Sequence, residues 1–99
     1  MTSTVLYTAD LRTYCTHLQS SSTIETDAPV DNNGNGERFS PTDLLATSLA
    51  SCMLTVMGIK ARTMGLDLND VKAEVLKKMK ADPRRVAGID LTFHIPQAL

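Results

Sequence analysis

The chain has no tryptophan, two tyrosines and two phenylalanines among its 99 residues. A core so poor in rings must be filled by Ala, Leu, Val and five methionines, which favours close packing around a slim helix. Cysteine is scarce too. Cys15 and Cys52 are too few and too far apart for a disulfide framework or a zinc site. His17 and His94 are equally separated, and Cys15 with His17 on one strand lacks further ligands. No metal and no organic cofactor is therefore expected. A net charge of -1 gives no basic field for phosphate backbones, so nucleic acid is an improbable partner. The N-terminus lacks a basic segment followed by an apolar run, so a secretory signal is not expected. The expected compartment is a reducing cytoplasm with both thiols free.

The hydrophobic fraction of 42% suffices for a core, and the length fits one domain over residues 1–99. The stretch "STVLYTADLRTYCTHLQS" alternates with period two and reads as a strand with room for a break inside it. "STIETDAP" reads as its hairpin partner, ended by Pro29, which gives an N-terminal hairpin over residues 1–29. "VDNNGNGERF" is Gly/Asn-rich and reads as a mobile surface loop over residues 30–39, without phosphate-loop spacing. In "SPTD", Ser40 takes the N-cap position, Pro41 N1 and Asp43 N3. The helix this opens is expected over residues 40–64, with Gly65 as the stop and a length of roughly 36 Å. Alternating residues on either side of "ADPRR" predict a second hairpin over residues 69–96. After Pro96, "QAL" marks a place where another element could begin. The order β–β–long helix–β–β is α+β, with one four-stranded antiparallel sheet on one side of a long, central, buried helix.

"LLATSLASCMLTVMGI" carries no charge, so the helix is apolar all round. This uncharged run falls short of the about 18 residues a membrane span needs, and it contains Thr47, Ser48, Ser51, Cys52 and Thr55. Protein must cover it, and a second copy of the chain is the simplest cover for the side the sheet leaves bare. Ser48, Ser51, Cys52 and Thr55 share one narrow stripe, which by pattern alone reads as close helix packing with an inert, buried thiol. Chemistry at Cys52 needs a nearby cation, because burial raises a thiol pKa. The helix dipole fades within its first turn, and Lys60 lies eight residues on. Arg12, which interrupts a strand, and Arg38, before the helix, are the candidates. Arg38 reads better as a solvated charge.

"FSPTDLLATSLASCMLTVMGIKARTMGLDL" resembles the central helix of the OsmC/Ohr family of thiol-dependent peroxidases: a small residue and Pro, Leu-Leu, Leu-Ala-x-Cys, then a Gly-containing exit. The element order agrees over most of the chain, and the specific match runs from about Phe39 to Leu68. The resemblance implies an intertwined homodimer around the two long helices. It implies a peroxidatic cysteine at Cys52, an activating arginine at Arg12, organic hydroperoxides as substrates and a dithiol, lipoyl-type or other, as reductant. In the family a glutamate two residues after the turn's first residue pairs with the arginine; Thr42 stands there in this chain. A resolving cysteine belongs to a C-terminal helix, and these 99 residues end before that region. Resolution would then fall to an external thiol or to Cys15, which by pattern is a core-facing strand residue. The competing expectation is a non-catalytic OsmC-like module that dimerises or binds a ligand.

Overall fold

The computed structural model describes residues 1–96. Two compact units divide the chain, Met1–Leu44 and a second from Leu45 onward. The first holds three strands, β1 (Ser3–Ala9), β2 (Arg12–His17) and β3 (Thr23–Asp27), in an antiparallel meander of order β1-β2-β3. The break foreseen inside the first strand is a two-residue turn: Asp10 and Leu11 both have positive φ, 55° and 62°. That backbone matches the right-handed twist of the flanking strands. The Leu11 N–H donates to the Tyr7 hydroxyl at 3.2 Å.

Because antiparallel partners share a face, Val5, Cys15 and Ile24 lie together on one side of this sheet. Arg12 and Asp27, also partners in the register, lie together on the other. The meander and the second hairpin are separate sheets, so the single four-stranded sheet expected from the sequence is replaced by a three-stranded and a two-stranded one. The turn that makes the extra strand has no glycine, and Leu11 carries a Cβ where φ is positive.

The helix α1 runs from Pro41 to Thr63. Its start is a reciprocal capping box: the Asp43 N–H donates to Ser40 Oγ at 3.1 Å, and the Ser40 N–H donates to Asp43 Oδ2 at 3.0 Å. Ser40 is 2% exposed, so water cannot replace either bond. Ser40→Ala should therefore cost about 1 kcal/mol of stability, read as a lower midpoint in denaturant at unchanged slope. At the other end Gly65 is left-handed at φ 69°. The Leu66 N–H reaches the Ala61 carbonyl at 2.8 Å and the Gly65 N–H reaches the Arg62 carbonyl at 3.2 Å. These are the two bonds of a Schellman stop.

In the second unit α1 is followed by β4 (Lys72–Lys80) and β5 (Arg85–His94), paired antiparallel in the predicted hairpin. One face of the hairpin carries Ala73, Val75 and Met79 with Leu91 and Phe93, half-buried; the other carries the ion pairs Lys78–Asp90 and His94–Glu74. An open cleft of about 410 Å³ lies between α1 and β4, lined by Ala50, Ser51, Leu54, Thr55, Ala73 and Val75 among others. The place after Pro96 where a further element was foreseen lies outside the described residues.

The helix departs most from expectation. It is long and central in the sequence but not buried within one chain. Ala46, Ala50 and Ala61 are its buried residues, at spacings that mark a single face. Leu45, Leu49, Met53, Val56 and Ile59 form a second apolar stripe, 39% to 60% exposed. By length and composition α1 could cross a membrane, with mean hydropathy 1.6 over its most apolar window. Only its uncharged run, Leu44–Ile59, falls below the length of a span; the whole helix does not. Core helices of soluble proteins meet the same criterion.

Candidate functional site

Arg12 opens β2, and the pairing of β2 with β3 sets it directly opposite Asp27, the last residue of β3. Its guanidinium meets that carboxylate as a fork: Nε donates to Oδ1 at 2.6 Å and Nη2 to Oδ2 at 2.9 Å. Two parallel charge-assisted bonds fix both the distance and the plane of the group. Nη2 donates its second hydrogen to Glu37 Oε1 at 3.0 Å.

The Asp27 side chain is 0% exposed, that of Arg12 24% and that of Glu37 62%. A buried carboxylate must replace its lost hydration with hydrogen bonds. Asp27 takes two from Arg12 and a third from the Glu37 N–H, which reaches Oδ2 at 3.1 Å. The Arg12 bond, against the cost of burial, holds the Asp27 carboxyl below its ordinary pKa. Asp27 and Glu37 raise the Arg12 pKa in turn, Asp27 most. At neutral pH this is a charged arginine held by the charged Asp27 carboxylate.

The loop after β3 delivers Glu37 to this cluster. Ala28 donates its N–H to Leu11 O at 3.0 Å, and Asp27 donates its own to Phe39 O at 3.1 Å. A short 3-10 turn, Val30–Asn32, and left-handed Asn33 fold the loop back. Gly34 then passes so close to Ala28 that a Cβ would lie 1.7 Å from the Ala28 carbonyl oxygen. Only glycine fits there. The mobile loop read from composition is therefore a tied one, with Gly34 N–H on Pro29 O at 2.9 Å and Gly36 N–H on Ala28 O at 3.2 Å. Neither Asp27 nor Glu37 stands out in the sequence. Their signal was an acid at the strand end before Ala-Pro and an acid after the last loop glycine, both legible only once the β2–β3 register is known.

Cys52 stands on α1 in the second unit, about three turns from the N-cap, with its side chain exposed rather than buried. It lies beside Met53 on the outer apolar stripe. Two of its neighbours in the small polar stripe are spent on their own helix: Ser48 Oγ donates to Leu45 O at 2.7 Å and Thr55 Oγ1 to Ser51 O at 2.8 Å. Those hydroxyls serve the packing role that pattern alone assigned to the stripe. Cys15 is half-buried against Val5 and Ile24, beside an open, mostly apolar cleft of about 400 Å³. Arg38 pairs with Glu25 at 3.5 Å, both partly exposed, a contact of little energetic weight. Thr42 takes a side-chain contact with Ser40 Oγ at 3.3 Å.

Against known proteins, the model of the OsmC-like protein family matches residues 34–99. The chain belongs to the OsmC family. A crystal structure from Psychrobacter arcticus 273-4, provisionally assigned to the osmotic stress induced and detoxification response, is similar over the whole chain. It has 61% identity and a TM-score of 0.96, with 72% of its own length covered. No curated protein matches. The matched OsmC segment includes Glu37, the capping box and Cys52; Arg12 and Asp27 lie before it.

Proposed function

We propose that the protein is a cysteine-based peroxidase that reduces organic hydroperoxides in oxidative-stress defence, working in the cytoplasm as a homodimer. Membership of the OsmC family supports the reaction class. The observation that carries the residue assignment is the state of Arg12. Of the five N–H groups of its guanidinium, the Asp27 and Glu37 contacts engage three, on Nε and Nη2. Among the described residues nothing engages the two Nη1 donors, and in this reading they meet the peroxide oxygen.

The step follows from thiol chemistry. Cys52 Sγ, as the thiolate, attacks the terminal oxygen of R–O–O–H; the S–O bond forms as the O–O bond breaks. The alkoxide leaves with the electron pair, takes a proton and departs as R–OH. Sulfur is oxidised by two electrons to a sulfenic acid, and the peroxide is reduced by two. A dithiol then attacks the sulfenyl sulfur, releasing water and forming a mixed disulfide. Its second thiol displaces Cys52, which returns reduced. In this reading the role of Arg12 is to stabilise negative charge on the leaving oxygen. Apolar side chains beside Cys52, such as Leu49 and Met53, suit alkyl or lipid peroxides better than hydrogen peroxide.

A second copy completes this reading. Five large side chains of the outer α1 stripe are about half exposed in one chain, and burying the rest would contribute on the order of 5 kcal/mol at about 1 kcal/mol each. That is comparable to the whole stability of a small domain. The test is turnover: with a dithiol in excess, the protein should consume cumene hydroperoxide faster than hydrogen peroxide. No dithiol-dependent consumption of either would leave the non-catalytic module as the better reading.

A further inference from the structure

Half of the chain's ten Lys and Arg residues lie between Lys77 and Arg85, where the one acid is Asp82. These nine residues carry a net charge of +4, while the other ninety hold five cations against ten acids. They form the end of the β4–β5 hairpin: the close of β4, the turn and the first residue of β5. In physiological salt charges are screened over about 8 Å. An approaching surface therefore meets this local charge, not the chain's total of -1.

Along the body of the hairpin, basic groups meet acids. On the outer face Lys78 reaches Asp90 at 2.7 Å and His94 reaches Glu74 at 3.0 Å. The end is built differently. Register sets Lys80 directly opposite Arg85, two exposed cations, and like charges so placed destabilise a hairpin. Arg85 is held there by the turn itself: Nη1 donates to Pro83 O at 2.9 Å and to Ala81 O at 3.3 Å. Both acceptors are carbonyls, so they fix the cation without neutralising it.

A partner of fixed shape is recognised through buried anchors, and aromatic rings dominate such anchors. Residues 76–87 contain no aromatic side chain, which also leaves no ring on which a single-stranded base could stack. Beside the cations stand Leu76, 58% exposed on the same outer face, and the aliphatic stems of the lysines. Cations without a shaped pocket, next to exposed aliphatic surface, suit a fluid bilayer. Its anionic headgroups move to the charge and require no fit.

We propose that the end of the β4–β5 hairpin docks on an anionic lipid bilayer, with Lys80 and Arg85 on the headgroup phosphates and Leu76 against the lipid. The docking itself needs no peroxide chemistry. Together with the peroxidase reading above, it brings the protein to the phase in which lipid hydroperoxides form.

The test is co-sedimentation of the full chain with vesicles of phosphatidylcholine alone or with about a third phosphatidylglycerol. At low salt the parent should bind the anionic vesicles and not the neutral ones, and about 0.5 M salt should release it. Lys80→Gln should weaken binding about fivefold, and Lys80→Gln with Arg85→Gln about twentyfold or more. Arg85→Lys keeps the charge and should bind within about twofold of the parent. Lys80→Gln relieves a like-charge pair, so it should unfold at no lower denaturant than the parent, and its weaker binding reports charge and not fold. Cys52→Ser should bind like the parent, so this result and the peroxidase reading stand or fall separately. No binding to either vesicle overturns the proposal, as does binding to anionic vesicles that the double variant retains. Equal binding to neutral vesicles, unmoved by salt, overturns it and assigns the lipid contact to the α1 stripe. Tighter binding to polyglutamate or duplex DNA than to vesicles overturns it in favour of a soluble polyanion. Displacement by inorganic phosphate at matched ionic strength overturns it in favour of a small anion.

Discussion

Cys52→Ser should abolish dithiol-dependent consumption of cumene hydroperoxide, with turnover falling by more than about a thousandfold, while Cys15→Ser retains the oxidising half-reaction. A serine hydroxyl is nearly isosteric with the thiol, so the helix and its caps should persist. It is not a nucleophile at neutral pH, because it is not ionised there and oxygen is far less polarisable than sulfur. Cys15 is the natural control. It is half-buried among Val5 and Ile24, on the opposite sheet face from Arg12. If Cys15 serves as the resolving thiol, its serine variant slows only the steps after the first oxidation. Assays of peroxide loss under single-turnover and steady-state conditions separate the two effects.

Val56→Asp should be the most damaging single change to assembly. Val56 is 60% exposed in the isolated chain and stands in the middle of the Leu45–Leu49–Met53–Val56–Ile59 stripe. Were the chain a folded monomer, a charge at so exposed a site would change stability by about 0.5 kcal/mol or less. In a helix-to-helix interface the same carboxylate would be stripped of water without a partner, at a cost of several kcal/mol, about 3 or more. The expected outcome in sedimentation at micromolar concentration is a dimer for the parent chain, and loss of both dimer and cooperative unfolding for the variant. A folded parent monomer would remove the second copy from the account. Partition of the parent chain into detergent or neutral vesicles rather than buffer would instead assign the stripe to lipid.

The sequence made the helix legible because its boundaries are written in local chemistry. Ser40, Pro41 and Asp43 build the cap they were expected to build, and Gly65 ends the helix where only a left-handed residue fits. The second hairpin was legible for the same reason, by strict alternation on either side of a turn. Burial of α1 was not, since periodicity reports that a surface is apolar and not which molecule covers it. The break inside the first strand was legible but its place at Asp10–Leu11 was not, because the turn uses a leucine where Asn-Gly would have announced it.

The acids around Arg12 were hidden for a deeper reason. Asp27 is fifteen residues from Arg12 and Glu37 twenty-five, and both meet it through strand register and loop closure. Nothing local in "ETDAP" or "NGER" distinguishes these acids from ordinary surface charges. Electrostatic reasoning required a cation for Cys52 and pointed to Arg12. What holds that cation is the Asp27 carboxylate, which only the strand register brings to it.

The most direct test of the peroxidase reading is where the first oxygen goes. The reduced protein is treated with cumene hydroperoxide below one equivalent, trapped with a sulfenic-acid reagent and mapped by peptide mass spectrometry. The trapped adduct is expected on Cys52, ahead of Cys15 and of the five methionines. Oxidation spread over Cys15 and the methionines, with Cys52 still a free thiol, would contradict it.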